Sequence, residues 1–274
     1  MTGPDGLRKM FALNRRKLAD GDKEVRMPGL EFWLLAGLAA MLVGAGKGGV
    51  PVVAMLSVPL MSLVMPPVMA AGLLLPIYVV TDVFGLYAYR GAWDRRVMAI
   101  LVPATTIGVS LGWLTAHWVP GWAVTGIVGL IGAIFALNLL LHPKPAMQAA
   151  PAKVGAGLFW GAVTGFTSFV SHAGAPPYQV YTLPLGLRKE VYAGTATILF
   201  AWVNAVKLIP YWALGQITLT NLKLSLVLAL PAILAVFAGV WLVRHLPEKL
   251  FFKAVTWALL ILSIKLLWDA SRMA

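Results

Sequence analysis

The 274-residue sequence contains no cysteine, which excludes disulfides, iron–sulfur clusters and thiolate metal sites. It is also poor in charge: Asp, Glu, Lys and Arg make up 12% of it, against about 25% in a soluble domain. A soluble chain needs a polar skin, and this one cannot supply it. Apolar residues instead reach 60%, with a mean hydropathy of +0.83. That balance excludes a soluble enzyme, a disordered chain and a collagen-like fibre, and leaves an integral membrane protein. The apolar segments are too long for a barrel, whose strands need about 10 alternating residues.

The charge that is present is lopsided, with 22 Lys and Arg against 10 Asp and Glu. Seven of the cations, Arg8, Lys9, Arg15, Arg16, Lys17, Lys23 and Arg26, fall in residues 1–28. The others cluster in short breaks between apolar segments, such as Arg90, Arg95 and Arg96, Lys144 and Lys153, and Arg188 and Lys189. This is the footprint of topology-setting loops beside anionic lipid, not of a nucleic-acid groove. The basic stretch is too long for a signal peptide. It is expected to be a cytoplasmic tail, either frayed or lying on the inner surface of a bacterial plasma membrane.

Apolar segments cover 30–46, 67–89, 97–118, 122–141, 154–170, 191–214, 222–243 and 251–268, each near the ~20 residues that span a hydrocarbon core as a helix. Two shorter pieces, 50–65 and 173–187, are broken by Pro59 and by Pro176, Pro177 and Pro184. The expected fold is therefore all-α and polytopic, with about eight transmembrane helices plus two short re-entrant or broken segments. A shift of 125 residues sets Gly46-Lys47-Gly48-Gly49-Val50-Pro51 on Ser171-His172-Ala173-Gly174-Ala175-Pro176, and Asp82 on Lys207. Two homologous halves follow, 29–142 and 154–274, joined by a linker at 143–153. Four spans per half fit the positive-inside rule in the first half but put Arg188, Lys189, Arg244, Lys249 and Lys253 outside. Five crossings per half would make the repeats inverted, at the cost of placing Arg90, Arg95 and Arg96 outside. Eight spans is the preferred reading.

Ionisable residues far from segment ends are costly in a bilayer and usually face a cavity or each other. Four qualify: Lys47, Asp82, His172 and Lys207. Glycines at 46, 48 and 49 around Lys47 break a helix and allow close approach of backbone. Pro51 suits the start of a new helix, whose dipole and free N–H groups attract anions. No Ser or Thr follows Lys47, so this is not a nucleotide phosphate loop. Ser171, His172 and Gly174 repeat the logic with an imidazole, and Gln179 is placed to line the same vestibule. Asp82 and Lys207 suggest an ion pair across the interface between halves. Asn204, one turn before Lys207, and Thr195, three turns before it, are expected to face the cavity. The alternatives are glycine-mediated packing and structural buried pairs. No nucleophile–base set or metal-ligand spacing is found, so neither an enzyme nor a cofactor is expected.

These motifs resemble the TauE/SafE sulfite exporter family, grouped with the toluenesulfonate uptake permeases. The resemblance rests on Gly-Ala-Gly-Lys-Gly-Gly-Val-Pro at 44–51, Leu-Leu-Leu-Pro at 73–76 before Asp82, and Tyr-Arg-Gly-Ala-Trp-Asp at 89–94. It continues through Phe-Val-Ser-His-Ala-Gly-Ala-Pro-Pro at 169–177, Gly-Thr at 194–195, and Asn204 and Lys207 before Tyr211 and Gly215. It implies secondary transport of small sulfur-containing anions, often outward. The expected binding set is then Gly46, Lys47, Gly48, Gly49, Ser171, His172, Gly174, Gln179, Thr195, Asn204 and Lys207, with coupling through Asp82 or His172. Expected partners are the anion and the bilayer, with no nucleic acid; a homo-oligomer stays open. A passive anion channel and a non-transporting scaffold are the competing readings.

Overall fold

The computed structural model describes residues 29–115, 118–141 and 150–273, and every regular element among them is helical. In chain order these are α1 (Leu30–Lys47), α2 (Pro51–Ala54), α3 (Ser57–Met61), α4 (Pro67–Tyr89), α5 (Arg95–Thr115) and α6 (Gly121–Leu141). Then come α7 (Val154–Ser171), α8 (Ala175–Thr182), a 3-10 turn (Leu183–Leu185), α9 (Lys189–Ala213), α10 (Leu219–His245) and α11 (Glu248–Met273). The basic tail and most of the linker lie outside the described residues. Eight helices are long and apolar enough to cross a membrane, as expected. Their starts are set locally. Pro67 occupies the first turn of α4. The Asp94 carboxylate caps α5 by accepting from Val97 N–H at 2.8 Å, and the Thr218 hydroxyl caps α10 from Asn221 N–H at 3.1 Å.

Small residues bring the long helices into backbone contact. Along the α5–α7 seam, a Cβ on Gly157 would meet Ile100, one on Gly161 would meet Ala104, and one on Gly165 would fall on the Thr105 carbonyl. Gly44 sits against Ala232 and Gly48 against Gly239 on the α1–α10 seam, and Gly129 and Gly132 meet Ser263 where α6 crosses α11. Helices in lipid lack a hydrophobic drive toward one another, so such close approach is what holds them together.

The contacts fix helix direction. Gly44 and Gly48 of α1 meet Ala232 and Gly239 of α10 in the same order, so those two helices run parallel. The Ser225 hydroxyl donates to the Leu73 carbonyl, and Phe84 packs on Phe237, so α4 also runs parallel to α10. Hence α1 and α4 point the same way. The re-entrant reading required them to be antiparallel. Instead residues 48–66, containing α2 and α3, carry the chain back across the thickness that α1 spans. In the second half, α7 pairs in parallel with α5. Helix α9 does likewise: Thr195 bonds to Asp94 N–H and Trp202 to Thr106. Residues 172–188 therefore make the return crossing there. Between the halves, α4 and α9 are antiparallel: Gly72 lies beside Gln216 and Gly85 beside Thr197.

Two faces follow: a near face where α1 begins and a far face where α4 ends. Nine described cations, Arg90, Arg95, Arg96, Lys153, Arg188, Lys189, Arg244, Lys249 and Lys253, flank helix ends on the far face, against Lys223 and Arg272 at near-face ends. Lys189 Nζ ties two of these ends together, donating to the Arg244 and Leu246 carbonyls at 3.0 and 2.6 Å. Four-span halves split these nine between faces; the observed path collects them on one. The exposed Leu, Ile, Phe and Trp side chains along the long helices form the lipid-facing belt.

Two outcomes test this packing and path. Gly165→Ala, whose Cβ collides with the Thr105 carbonyl, lowers the thermal midpoint through about 1–3 kcal/mol of overpacking, whereas Gly155→Ala, with open space around it, leaves it unchanged. In this cysteine-free chain, an impermeant maleimide labels Arg95→Cys and Glu248→Cys from one face and Gly121→Cys from the other. The four-span arrangement groups position 248 with 121 instead.

Candidate functional site

Midway through the helices, the breaks after α1 and α7 meet α4 and α9. Lys47, at the end of α1, places Nζ 2.5 Å from Asp82 Oδ1 on α4. The other carboxylate oxygen accepts from Asn204 Nδ2 of α9 at 2.9 Å. Lys207, one turn along α9, donates to the carbonyl and hydroxyl of Ser168 at 3.3 and 3.2 Å, and to His172 Nδ1 at 3.4 Å. An ammonium only donates, so Nδ1 accepts and Nε2 carries the imidazole proton. Nε2 then donates to the Tyr211 hydroxyl at 2.9 Å, which donates to the Phe169 carbonyl at 3.3 Å. His172 has φ of 53°, the one non-glycine residue at positive φ among those described, and so turns the chain sharply from α7 into α8. Tyr78 stacks on its ring at 5.5 Å, with the Lys47 ammonium 5.4 Å from the Tyr78 centroid.

These groups enclose a cavity of about 30 Å³, lined by Gly46, Lys47, Tyr78, Ser168, His172, Thr197, Phe200, Asn204 and Lys207 together with Pro51, Ala54, Met55 and Ala175. A volume of that order holds water rather than a hydrated anion. A vestibule of about 790 Å³ opens beside it, walled by near-face residues such as Gly121, Trp122, Gln216 and Trp268. His172 and Met55 line both spaces, so they form the partition between them. On the other side, toward the far face, the cavity floor is solid core built around Tyr89, Tyr178, Tyr192, Leu199, Val240 and Val243.

Lys47, Asp82, His172, Asn204 and Lys207 are thus gathered at one place. The expected Asp82–Lys207 pair is not formed. Each charge instead finds a partner 35 residues away within its own half, Lys47 with Asp82 and His172 with Lys207. Thr195 misses the cavity and accepts from Asp94 N–H at 2.9 Å. Twelve residues at about 100° each leave it about 120° round the helix from Lys207. Thr197 takes its place, donating to the Lys47 carbonyl at 3.1 Å. Ser171 lies on the vestibule wall, and Ser168, one turn earlier, lines the cavity. Gly48, Gly49 and Gly174 serve packing against α10, Tyr89 and Phe200. Gln179 is fully buried beyond the cavity lining, with neither amide atom hydrogen-bonded. The helix starts also offer fewer donors than expected, because Pro51, Pro176 and Pro177 carry no N–H. Tyr78 and Tyr211 were not singled out as site residues, although each sits four residues from an intramembrane charge, Asp82 or Lys207.

The Lys47 and Asp82 charges cancel. The Lys207 ammonium, 1% exposed, has only neutral partners, and no carboxylate among the described residues lies within ion-pair distance of it. No group of three or more His, Asp or Glu among the described residues could hold a metal.

The fold is that of a polytopic helical membrane protein with ionisable side chains gathered at mid-depth, where such residues face a cavity or one another. The chain belongs to the sulfite exporter TauE/SafE family, whose model matches residues 19–266, and this membership points to small-anion transport. No curated protein and no solved structure is significantly similar to it.

Removing one member of the buried pair strands the other. Lys47→Ala costs about 3–5 kcal/mol of stability, read as a lower midpoint of unfolding in detergent. Lys47→Met with Asp82→Asn recovers most of that loss. A double variant no more stable than Lys47→Ala would show that the pair does not stabilise the fold in this way.

Proposed function

We propose that this protein is a secondary transporter in a bacterial inner membrane that exports small sulfur-containing anions, such as sulfite or organosulfonates, by alternating access. One observation carries this reading: Lys207 is a buried cation with no counter-ion. An anion entering the cavity supplies the missing charge, and Ser168, Thr197 and Asn204 supply hydrogen bonds. Sulfur oxyanions fit such a site because several oxygens share their charge and accept from several donors at once.

The alternation rests on two homologous halves of opposite orientation. The matching 35-residue spacing of the two partner pairs supports this, as does the packing: α1 lies on α10 as α7 lies on α5, while α4–α9 and α6–α11 pair across the halves. Such inverted repeats bind substrate at their interface and rock against each other. Asp82 and His172 are the coupling groups. Protonation of Asp82 releases Lys47 to join Lys207 on the anion. A passive channel is disfavoured by the sealed far side.

The loop cations make the far face cytoplasmic by the positive-inside rule. The vestibule then opens outward, and residue 29 lies on the outer face. This orientation departs from the cytoplasmic N-terminus expected from the basic tail, which lies outside the described residues.

Sulfite efflux from proteoliposomes tests the reading. Lys207→Ala lowers flux about tenfold or more, the loss associated with charged hydrogen bonds in a site of this kind. It also abolishes the rise in melting temperature that sulfite or a sulfonate gives the wild-type protein. Unchanged flux in Lys207→Ala would sink the assignment.

A further inference from the structure

Two tyrosines outside the anion-binding set sit beside the two helix breaks. Tyr89 ends α4 on the far side, and its hydroxyl donates to the Gly48 carbonyl at 2.6 Å, one residue past Lys47. Tyr211 lies near the end of α9 on the near side. Its hydroxyl donates to the Phe169 carbonyl at 3.3 Å and accepts from His172 Nε2 at 2.9 Å. Both are almost wholly buried, at 2% and 3% exposure. Because α4 and α9 are antiparallel, the two hydroxyls close the cavity from opposite directions. Each holds the backbone of the break that carries a cavity side chain, Lys47 in one case and His172 in the other.

Their surroundings differ. Tyr211 and His172 together line the vestibule, so little else separates it from the cavity. Tyr89 is set in the far-side core. There Gly49 adopts φ of 120°, and a Cβ on it would come within 2.6 Å of the Tyr89 hydroxyl and 2.8 Å of Val243. A buried tyrosine hydroxyl needs a hydrogen-bond partner, and here both choose main-chain carbonyls at the points where α1 and α7 stop.

We propose that Tyr211 and Tyr89 are the latches of two gates, Tyr211 closing the anion cavity toward the near face and Tyr89 toward the far face. Breaking one bond frees the adjoining break, α7–α8 or α1–α2, to swing away on that side only. The proposal rests on the alternating-access reading, but it concerns access to the cavity and needs no transported substrate.

The absence of cysteine makes the test direct. Thr197→Cys places a thiol in the cavity, and Gly121→Cys places a control thiol on the vestibule wall, away from both breaks. Both are titrated with an impermeant methanethiosulfonate applied to either face of oriented vesicles. Tyr211→Phe, which removes two hydrogen bonds, raises the rate at position 197 from the near face about five-fold or more, the worth of at least one of them, and leaves the far-face rate unchanged. Tyr89→Phe does the reverse. The rate at position 121 is the same in every background. Unaltered rates at 197, or equal rises from both faces, overturn the proposal. The Tyr211→Phe arm decides it alone should Tyr89→Phe be too unstable to purify. A protein with this labelling pattern that carries no sulfite would refute the substrate reading and leave the latches standing.

Discussion

A low-dielectric interior tolerates paired charge and resists odd charge, and the centre of this protein is arranged around three ionisable side chains, Lys47, Asp82 and Lys207. Lys47 and Asp82 neutralise each other at 2.5 Å. Lys207 is left with a serine and an imidazole. Those dipoles solvate the ammonium but do not cancel its charge. The fold must therefore keep enough polar groups at mid-depth to make the site tolerable when empty, and little enough room that water alone does not satisfy it. The cavity of about 30 Å³ meets both demands.

That arrangement depends on helices approaching more closely than bulky side chains allow. The α1 break reaches Asp82 because Gly44 and Gly48 let α1 press into α10 at Ala232 and Gly239. The α7 break is positioned through Gly157, Gly161 and Gly165 against α5. Each seam joins a helix of one half to a helix of the other, and both end at the same cavity. Small residues along the helices and charged residues at their ends are thus two parts of one device, since larger residues in the seams would separate Lys47 from Asp82 and Lys207 from His172.

The membrane class, the eight long helices and the main charged residues were legible because each leaves a local mark: a long apolar run, or a charge inside one. Direction was not legible. The segments at 50–65 and 173–187 are too short and too proline-broken to register as crossings, yet both carry the chain back across. Neither is a regular spanning helix: α2 and α3 have four and five residues and α8 has eight. Only the order of contacts between the long helices, glycine approaches and side-chain bonds together, reveals their path. The partner of Asp82 was misjudged for a related reason. Equivalence under a repeat says which positions correspond, not which ones touch. Here contact runs within each half, and the interface is bridged by the neutral Asn204. Thr195 failed on helical phase, and Gln179 because the short α8 carries it past the cavity.

The two sides of the cavity differ in what would have to move. On the near side the barrier is a few side chains, His172, Met55 and Tyr211, beside an existing vestibule. On the far side it is a packed layer that includes Tyr89, Tyr178, Tyr192 and Val243. Opening the near side is then a local change at a strained residue, since His172 already sits in the left-handed region. Opening the far side requires the α1–α2 break to part from α4 and α10 along the seam where Gly48 meets Gly239. A site with one thin wall and one thick wall exchanges with one compartment readily and with the other only through a larger rearrangement.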